Sequence, residues 1–306
     1  MTNIINLKTV PDIFPFFKLK SAAQHPLVAV IDFGLVKNFI DNYTKVSTNF
    51  YCLIFKNSTR NNLKYGRKVI DFQDGSLICL SPNQILELER DDEGNDNLSG
   101  WGLFIHPDLF RGSSLSKKNP DYSFFEYQTS EALHLSETEK KILTDCIFTI
   151  EKELSTNIDR HSQTLIISLI EVMLNYCVRF YDRQFITRKT SNTDIIVKFE
   201  QLLKSYLKTD LLKNGLPTVQ YFADKVFLSP NYFSDLLKKE TGKNAKEHIQ
   251  YQLIELAKKN LSDSDTSVSE IAYELGFEYP QYFSRLFKLK TGMTPVQFRN
   301  SARITR

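Results

Sequence analysis

Tyr232-Phe-Ser234 recurs as Tyr282-Phe-Ser284, and the match continues at the same offset of 50 residues. Leu236 answers to Leu286, Lys238 to Lys288, and Thr241-Gly242 to Thr291-Gly292. Upstream, Ala223 pairs with Ala272 at an offset of 49, so the second copy has one extra residue in its turn. A short repeat of this kind is one supersecondary unit used twice. Each copy reads as helix, turn, helix. In the first, Thr218 caps a helix reaching about Val226, and Leu228-Ser229-Pro230 is the turn. Ser229 is a natural N-cap, and Pro230 suits the first position of the next helix. That helix runs to about Glu240 and stops before Gly242. In the second copy Ser267-x-x-Glu270 is a capping box. Its helix, Val268 to Leu275, stops at Gly276. Pro280 opens the next helix, which runs to Lys290 before Gly292, and Thr294-Pro295 starts a last short one.

The repeat also fixes a core. Phe233, Leu237, Phe283 and Phe287 face inward, and the small Ala223 and Ala272 let the first helix of each pair lie close to the second. Ala245 to Leu261 reads as one continuous helix with Ile249, Leu253, Leu256, Ala257 and Leu261 on its inner face. It would hold the two second helices in register. Helix pairs of this shape place their second helix in the major groove of DNA.

Charge follows the same division. Residues 189–306 carry 18 Lys and Arg against 13 Asp and Glu, whereas residues 1–188 carry 21 against 23. The stretch 279–306 holds Arg285, Lys288, Lys290, Arg299, Arg303 and Arg306 and no acid. A basic half suggests an anionic partner, with nucleic acid first.

Ile271-Ala272-x-x-x-Gly276-Phe277, then Tyr282-Phe283-x-x-x-Phe287-Lys288, then Thr291-Gly292-x-Thr294-Pro295-x-x-Phe298-Arg299 resembles the signature of the AraC-type (AraC/XylS) helix-turn-helix transcriptional regulators. The resemblance covers about residues 190–306. Over residues 1–185 it is carried only by a strand-rich, then two-helix layout like the family's cupin-like regulatory domain. It implies seven C-terminal helices, two of which read major-groove segments about 10 base pairs apart on one DNA face. The family's base-reading positions fall on Pro280, Gln281 and Arg285, with Glu278 and Tyr279 at the helix mouth. Gln suits an adenine edge and Arg a guanine edge. In the first unit they fall on Asn231, Ser234 and Asp235, a departure, since Asp235 costs affinity near phosphate unless it accepts from a cytosine amino group. Lys238, Lys239, Lys288, Lys290 and Arg299 are the phosphate candidates. Leu253 stands where the family often has Arg, so no Arg contact is carried over there. The implied partners are double-stranded promoter DNA, RNA polymerase, a second copy of the chain and a small-molecule effector, and the implied action is activation.

The N-terminal part reads differently. Leu27–Ile31, Phe50–Phe55, Lys68–Phe72, Ser76–Leu80 and Trp101–His106 are short β-branched or aromatic runs. Asn57–Asn62 and Gln73-Asp-Gly75 punctuate them as turns, and Arg90–Gly100 is an acidic loop. This suggests a barrel or sandwich. From Ser136 the period changes. Ser136-x-x-Glu139 is a capping box, and Ile142, Cys146, Ile150 and Leu154 recur every four residues with Leu143 and Ile147 beside them. Arg160 to about Phe180 is a second helix, apolar on more than one face, which points to a dimer interface or to burial within one protomer. Arg183 to Thr193 is polar. Phe14-Pro15-Phe16-Phe17 reads as an arm or an edge strand. Phe33, Phe50, Tyr51, Phe55, Phe72 and Trp101 could line an effector pocket or be ordinary core. The expected architecture is therefore α+β with two domains. A cupin-like β-barrel with two helices (about 136–154 and 160–180) fills 1–185, a linker spans 186–193, and an all-α domain with two helix-turn-helix units fills 194–306.

Other classes find little support. No apolar run approaches the ~20 residues that span a bilayer, and no signal peptide is read at the N-terminus. Cys52, Cys79, Cys146 and Cys177 lack the close spacing of a zinc or redox motif and read as buried reduced thiols, which fits a cytoplasmic protein. No two of His25, His106, His134, His161 and His248 stand at the short spacing of a metal-ligand pair, so no metal or cofactor is expected. No phosphate loop, no Gly-x-Ser-x-Gly elbow and no reactive-Cys motif of the repair methyltransferases is present, so an enzyme is not expected. The alternatives are a regulator without an effector, governed by a partner protein, and a cupin-type enzyme.

Overall fold

The structure, a computed structural model, describes residues 4–36, 43–56, 63–65, 68–70, 75–89, 99–118, 121–157 and 159–304. The turns expected at 57–62 and 73–74, most of the acidic loop, and Phe72 lie outside the described residues. The chain forms two compact units, residues 1–187 and 188–306.

In the first unit, β1 (Ile4–Leu7), β3 (Tyr43–Thr48), β5 (Leu63–Tyr65), β6 (Lys68–Ile70) and β8 (Ile85–Glu89) form one sheet in the order β1-β3-β8-β5-β6. The second sheet contains β2 (Val28–Asp32), β4 (Tyr51–Lys56), β7 (Ser76–Leu80), β9 (Gly100–Ile105) and β10 (Leu133–His134), in the order β10-β7-β4-β9-β2. Every pairing is antiparallel except β1 with β3. Among the described residues no ladder joins the two five-stranded sheets, so closure into the expected cupin-like barrel is not seen.

Helix α1 (Val10–Phe16) adds to the core between them. Phe14-Pro15-Phe16 is its end, so the edge-strand alternative is corrected, while the segment does pack as an N-terminal arm on the sheets. Val10, Ile13 and Phe17 are buried in one cluster with Ile31, Phe33, Phe50, Ile78 and Phe104. The Phe17 ring lies 5.8 Å from Phe33 and 6.0 Å from Phe104. The pocket aromatics do not converge. Strand alternation puts Phe55 and Trp101 on the face opposite Phe104. Their rings sit 5.4 Å apart, and the indole N–H of Trp101 donates to Thr144 Oγ1 at 3.3 Å. Tyr51 stacks on Phe110 at 5.1 Å. Phe33 is thus inter-sheet core, while Tyr51, Phe55 and Trp101 belong to the outer face.

After the short α2 (Ser114–Lys118), α3 (Glu137–Leu154) opens on the Ser136–Glu139 capping box, closed by bonds of 2.9 and 3.4 Å. Its buried stripe is Leu143, Ile147, Ile150 and Leu154, with Ile142 and Cys146 only half-buried. α4 (Ser162–Thr187) runs past the expected end and buries Ile166, Ile170, Met173, Leu174 and Cys177. Contrary to the sequence reading, α4 is long and apolar enough to cross a membrane by length and composition alone. It carries Glu171, Arg179, Asp182 and Arg183, and its buried face packs on α3 and β10. All four cysteines are free, and Cys146 is the one not fully buried. Burial pushes the Cys52 thiol up to about 12.

The unit boundary falls within the expected linker, but that segment is helical on both sides of Arg188. α5 (Lys189–Thr209) begins early because buried Asn192 in its first turn donates to Glu240 Oε1 at 2.9 Å. The second unit continues with α6 (Leu211–Asn214), α7 (Val219–Val226), α8 (Pro230–Thr241), α9 (Ala245–Asp263), α10 (Val268–Glu274), α11 (Pro280–Thr291) and α12 (Pro295–Ile304). The single-turn α6 makes eight described helices where the resemblance implied seven. Its core, with Phe199, Phe222, Phe233, Ile249, Leu253, Ala257, Phe283 and Phe287, lies wholly inside the unit.

Candidate nucleic-acid interface

The two helix-turn-helix units are α7–α8 and α10–α11, joined by α9. Local chemistry sets each corner. Thr218 Oγ1 accepts the Tyr221 N–H at 3.2 Å, and Ser229 Oγ accepts the Tyr232 N–H at 3.2 Å. Ser267 and Glu270 close a box with bonds of 2.8 and 3.1 Å, and Asn244 and Glu247 do the same for α9 at 2.9 Å each. Both second helices end on left-handed glycines, Gly242 and Gly292. In both, a Thr hydroxyl caps the end, Thr241 donating to Leu237 O at 2.7 Å and Thr291 to Phe287 O at 2.8 Å.

The turns differ. Gly276, at φ 78°, lies so close to Gly215 that a Cβ would sit 2.9 Å from the Gly215 carbonyl carbon. Glycine is needed there twice, for the backbone angle and for the close approach of the α6–α7 loop. The matching place in the first unit holds Phe227, also left-handed at φ 61° and 72% exposed, with Lys198 Nζ 5.3 Å from its ring. A bulky residue in this region is strained.

The recognition helices differ as well. On α11, Gln281, Tyr282, Arg285, Lys288 and Leu289 are exposed and share one face. Glu278 and Tyr279 stand exposed at its mouth, and Pro280 is half-buried. Tyr282 is 63% exposed and packs edge-on against Tyr279 at 5.7 Å, whereas its repeat partner Tyr232 is 4% exposed. The repeat alignment does not distinguish the two tyrosines, and Tyr282 is not among the site residues read from the sequence. On α8, Asn231, Lys238 and Lys239 are exposed, and Ser234 and Asp235 are half-buried.

Two phosphate candidates fall elsewhere. Lys290 lies roughly 140° around α11 from Arg285, at about 100° per residue. There it lines a cavity of about 200 Å³ with Lys243, Tyr251 and Lys258. Arg299 on α12 donates through Nη2 to Thr266 O at 2.5 Å, and its buried Nε has no bonded partner. Its guanidinium ties α12 to the loop before α10. Leu253 is buried on α9.

A family model described as a helix-turn-helix domain matches residues 222–301. The chain is 44% identical over 78 residues to YesN of Bacillus subtilis (strain 168), an uncharacterized transcriptional regulatory protein, covering 25% of this chain and 21% of that protein. It is 38% identical over 77 residues to the regulatory protein PocR of Salmonella typhimurium, covering 25% of each. The solved C-terminal domain of the response regulator yesN from Fusobacterium nucleatum is 28% identical, covers 33% of this chain and 96% of that one, and has a TM-score of 0.30. The chain thus spans about a quarter or less of these curated relatives, and the matched region is the double helix-turn-helix.

Proposed function

Taking as premise the AraC-type helix-turn-helix domain that residues 222–301 carry, we propose that this chain is a sequence-specific transcriptional regulator acting on double-stranded promoter DNA. The observation that carries the reading is the α11 face. Gln281, Arg285 and Lys288 stand exposed within a stretch, 279–306, that holds no acid. Arg285 and Gln281 can each make bidentate contacts to a base edge, and Lys288 can neutralise phosphate. The α8 face, with half-buried Ser234 and Asp235, contributes position and phosphate contact through Lys238 and Lys239 more than base reading.

The first unit is the sensing and dimerisation part in this reading. Leu165, Leu169, Val172 and Tyr176 recur on α4 at spacings of four, three and four, the seam of a coiled coil. Leu165 and Val172 are each 49% exposed, an apolar cost that pairing with the same face of a second copy removes. Activation through RNA polymerase completes the proposal. Selection of bound genomic fragments tests it. Enrichment of one motif with two elements about a helical turn apart supports it, and failure to enrich any motif contradicts it.

A further inference from the structure

The two repeats part company at the mouth of α11. Position 279 answers to 229, and position 282 to 232. In the first unit Ser229 caps α8 through its hydroxyl, and Tyr232 is buried. In the second, Tyr279 stands at the N-cap, a place that Ser, Thr, Asp or Asn fill far better, and it makes no side-chain cap bond. The Tyr282 N–H donates instead to the Tyr279 carbonyl at 3.0 Å. Tyr279 and Tyr282 are 51% and 63% exposed, and neither ring is part of the unit's core. α11 thus gives up a cap and holds two aromatic rings in solvent, one on each side of its first turn.

Their placement is specific. The rings meet edge-on with centroids 5.7 Å apart, so each braces the other. At about 100° per residue, Tyr282 lies roughly 60° to one side of Arg285, and Gln281 roughly 40° to the other. The N-terminal residues of a recognition helix are the ones that reach base edges. The α11 face therefore has a polar flank at Gln281 and an aromatic flank at Tyr282, with the guanidinium between them. In the major groove the apolar group is the thymine C5-methyl, and apolar side chains meet it. Covering a ring with that methyl removes from water the apolar surface that free α11 exposes.

We propose that Tyr282, braced by Tyr279, reads the C5-methyl of a thymine in the half-site where Arg285 reads its base. This deepens the regulator reading above and rests on it. The first unit has no such reader, because Tyr232 is buried and Ser229 is spent on the cap. The two half-sites therefore differ in kind. The one under α11 is sensitive to a thymine methyl, and the one under α8 is not.

The test is competition binding of the full chain to its selected site, with each thymine in turn replaced by deoxyuridine, which keeps every hydrogen bond and lacks the methyl. One thymine, in one element only, should cost about three- to fivefold in affinity on replacement, the scale of one buried carbon. Tyr282→Ala should lose a similar factor on the thymine site and bind the thymine and deoxyuridine sites alike. Tyr282→Phe should keep the wild-type discrimination, and so should Arg285→Ala. Tyr279→Ser restores a cap, so it should raise Tm while weakening the discrimination. If Tyr282→Ala does not fold, this second variant decides. A site in which no thymine is methyl-sensitive, a discrimination undiminished in Tyr282→Ala and in Tyr279→Ser, or a loss in Tyr282→Phe as large as in Tyr282→Ala, which would assign the hydroxyl to phosphate, would each overturn the methyl reading and leave the regulator reading standing. Failure to enrich any motif would remove the regulator reading and the methyl reading with it.

Discussion

Arg285 and Lys288 lie on one face of α11 and are assigned different work, which makes them separable by mutation. Arg285→Ala should relax preference at one base position and cost roughly 1–3 kcal/mol on the best site, read by competition binding against single-base variants. Lys288→Ala should weaken all sequences alike and reduce the salt slope by about one unit, read by titration across salt concentrations. Lys56 offers a residue-scale check of a different kind. Its pKa in the folded chain is about 8, below the ordinary 10.5, so between those values the unfolded chain binds more protons and stability rises with pH. Lys56→Met should therefore gain most over wild type below pH 8, and the gain should fade toward pH 10.5. A pH-independent difference in denaturant midpoints would contradict this.

At the scale of elements, caps and glycines do most of the positioning. Gly276→Ala should destabilise the second unit more than Gly292→Ala. Ala must hold a left-handed angle at either site, at about 1–2 kcal/mol, but only at 276 would its Cβ also meet backbone at 2.9 Å, whereas a Cβ at 292 meets no atom beyond its chain neighbours within 4 Å. Equal losses in Tm would show that the Gly215 approach is dispensable. These elements were legible in the sequence because their signals are local. Ser229-Pro230, Ser267-x-x-Glu270 and the glycine stops each encode a boundary within a few residues. Three features were not legible, and each depends on distant partners. Phe14–Phe16 is helical because the inter-sheet space receives Ile13 and Phe17. The expected linker is helical because Asn192 finds Glu240. Arg299 bonds Thr266, 33 residues earlier in the chain. Tyr282 illustrates the limit at the site, since a repeat reports which backbone recurs and not which neighbours cover it.

For the whole molecule, the two units carry separate cores, and among the described residues that of 188–306 is built from residues of that unit. This fragment should unfold cooperatively by itself and select the same motif as the full chain. Dimerisation is assigned to the α4 seam. Leu165→Glu with Val172→Glu should convert a dimer to a monomer in sedimentation while leaving the fragment's DNA selection intact. The central claim, that the C-terminal double helix-turn-helix reads a defined DNA sequence through α11, is met most directly by one measurement. Genomic-fragment selection would be run in parallel on the full chain and on Arg285→Ala. The account predicts one enriched motif with two elements about a helical turn apart, and the loss of base preference at a single position in the variant. An absence of enrichment, or an identical motif from both proteins, would contradict it.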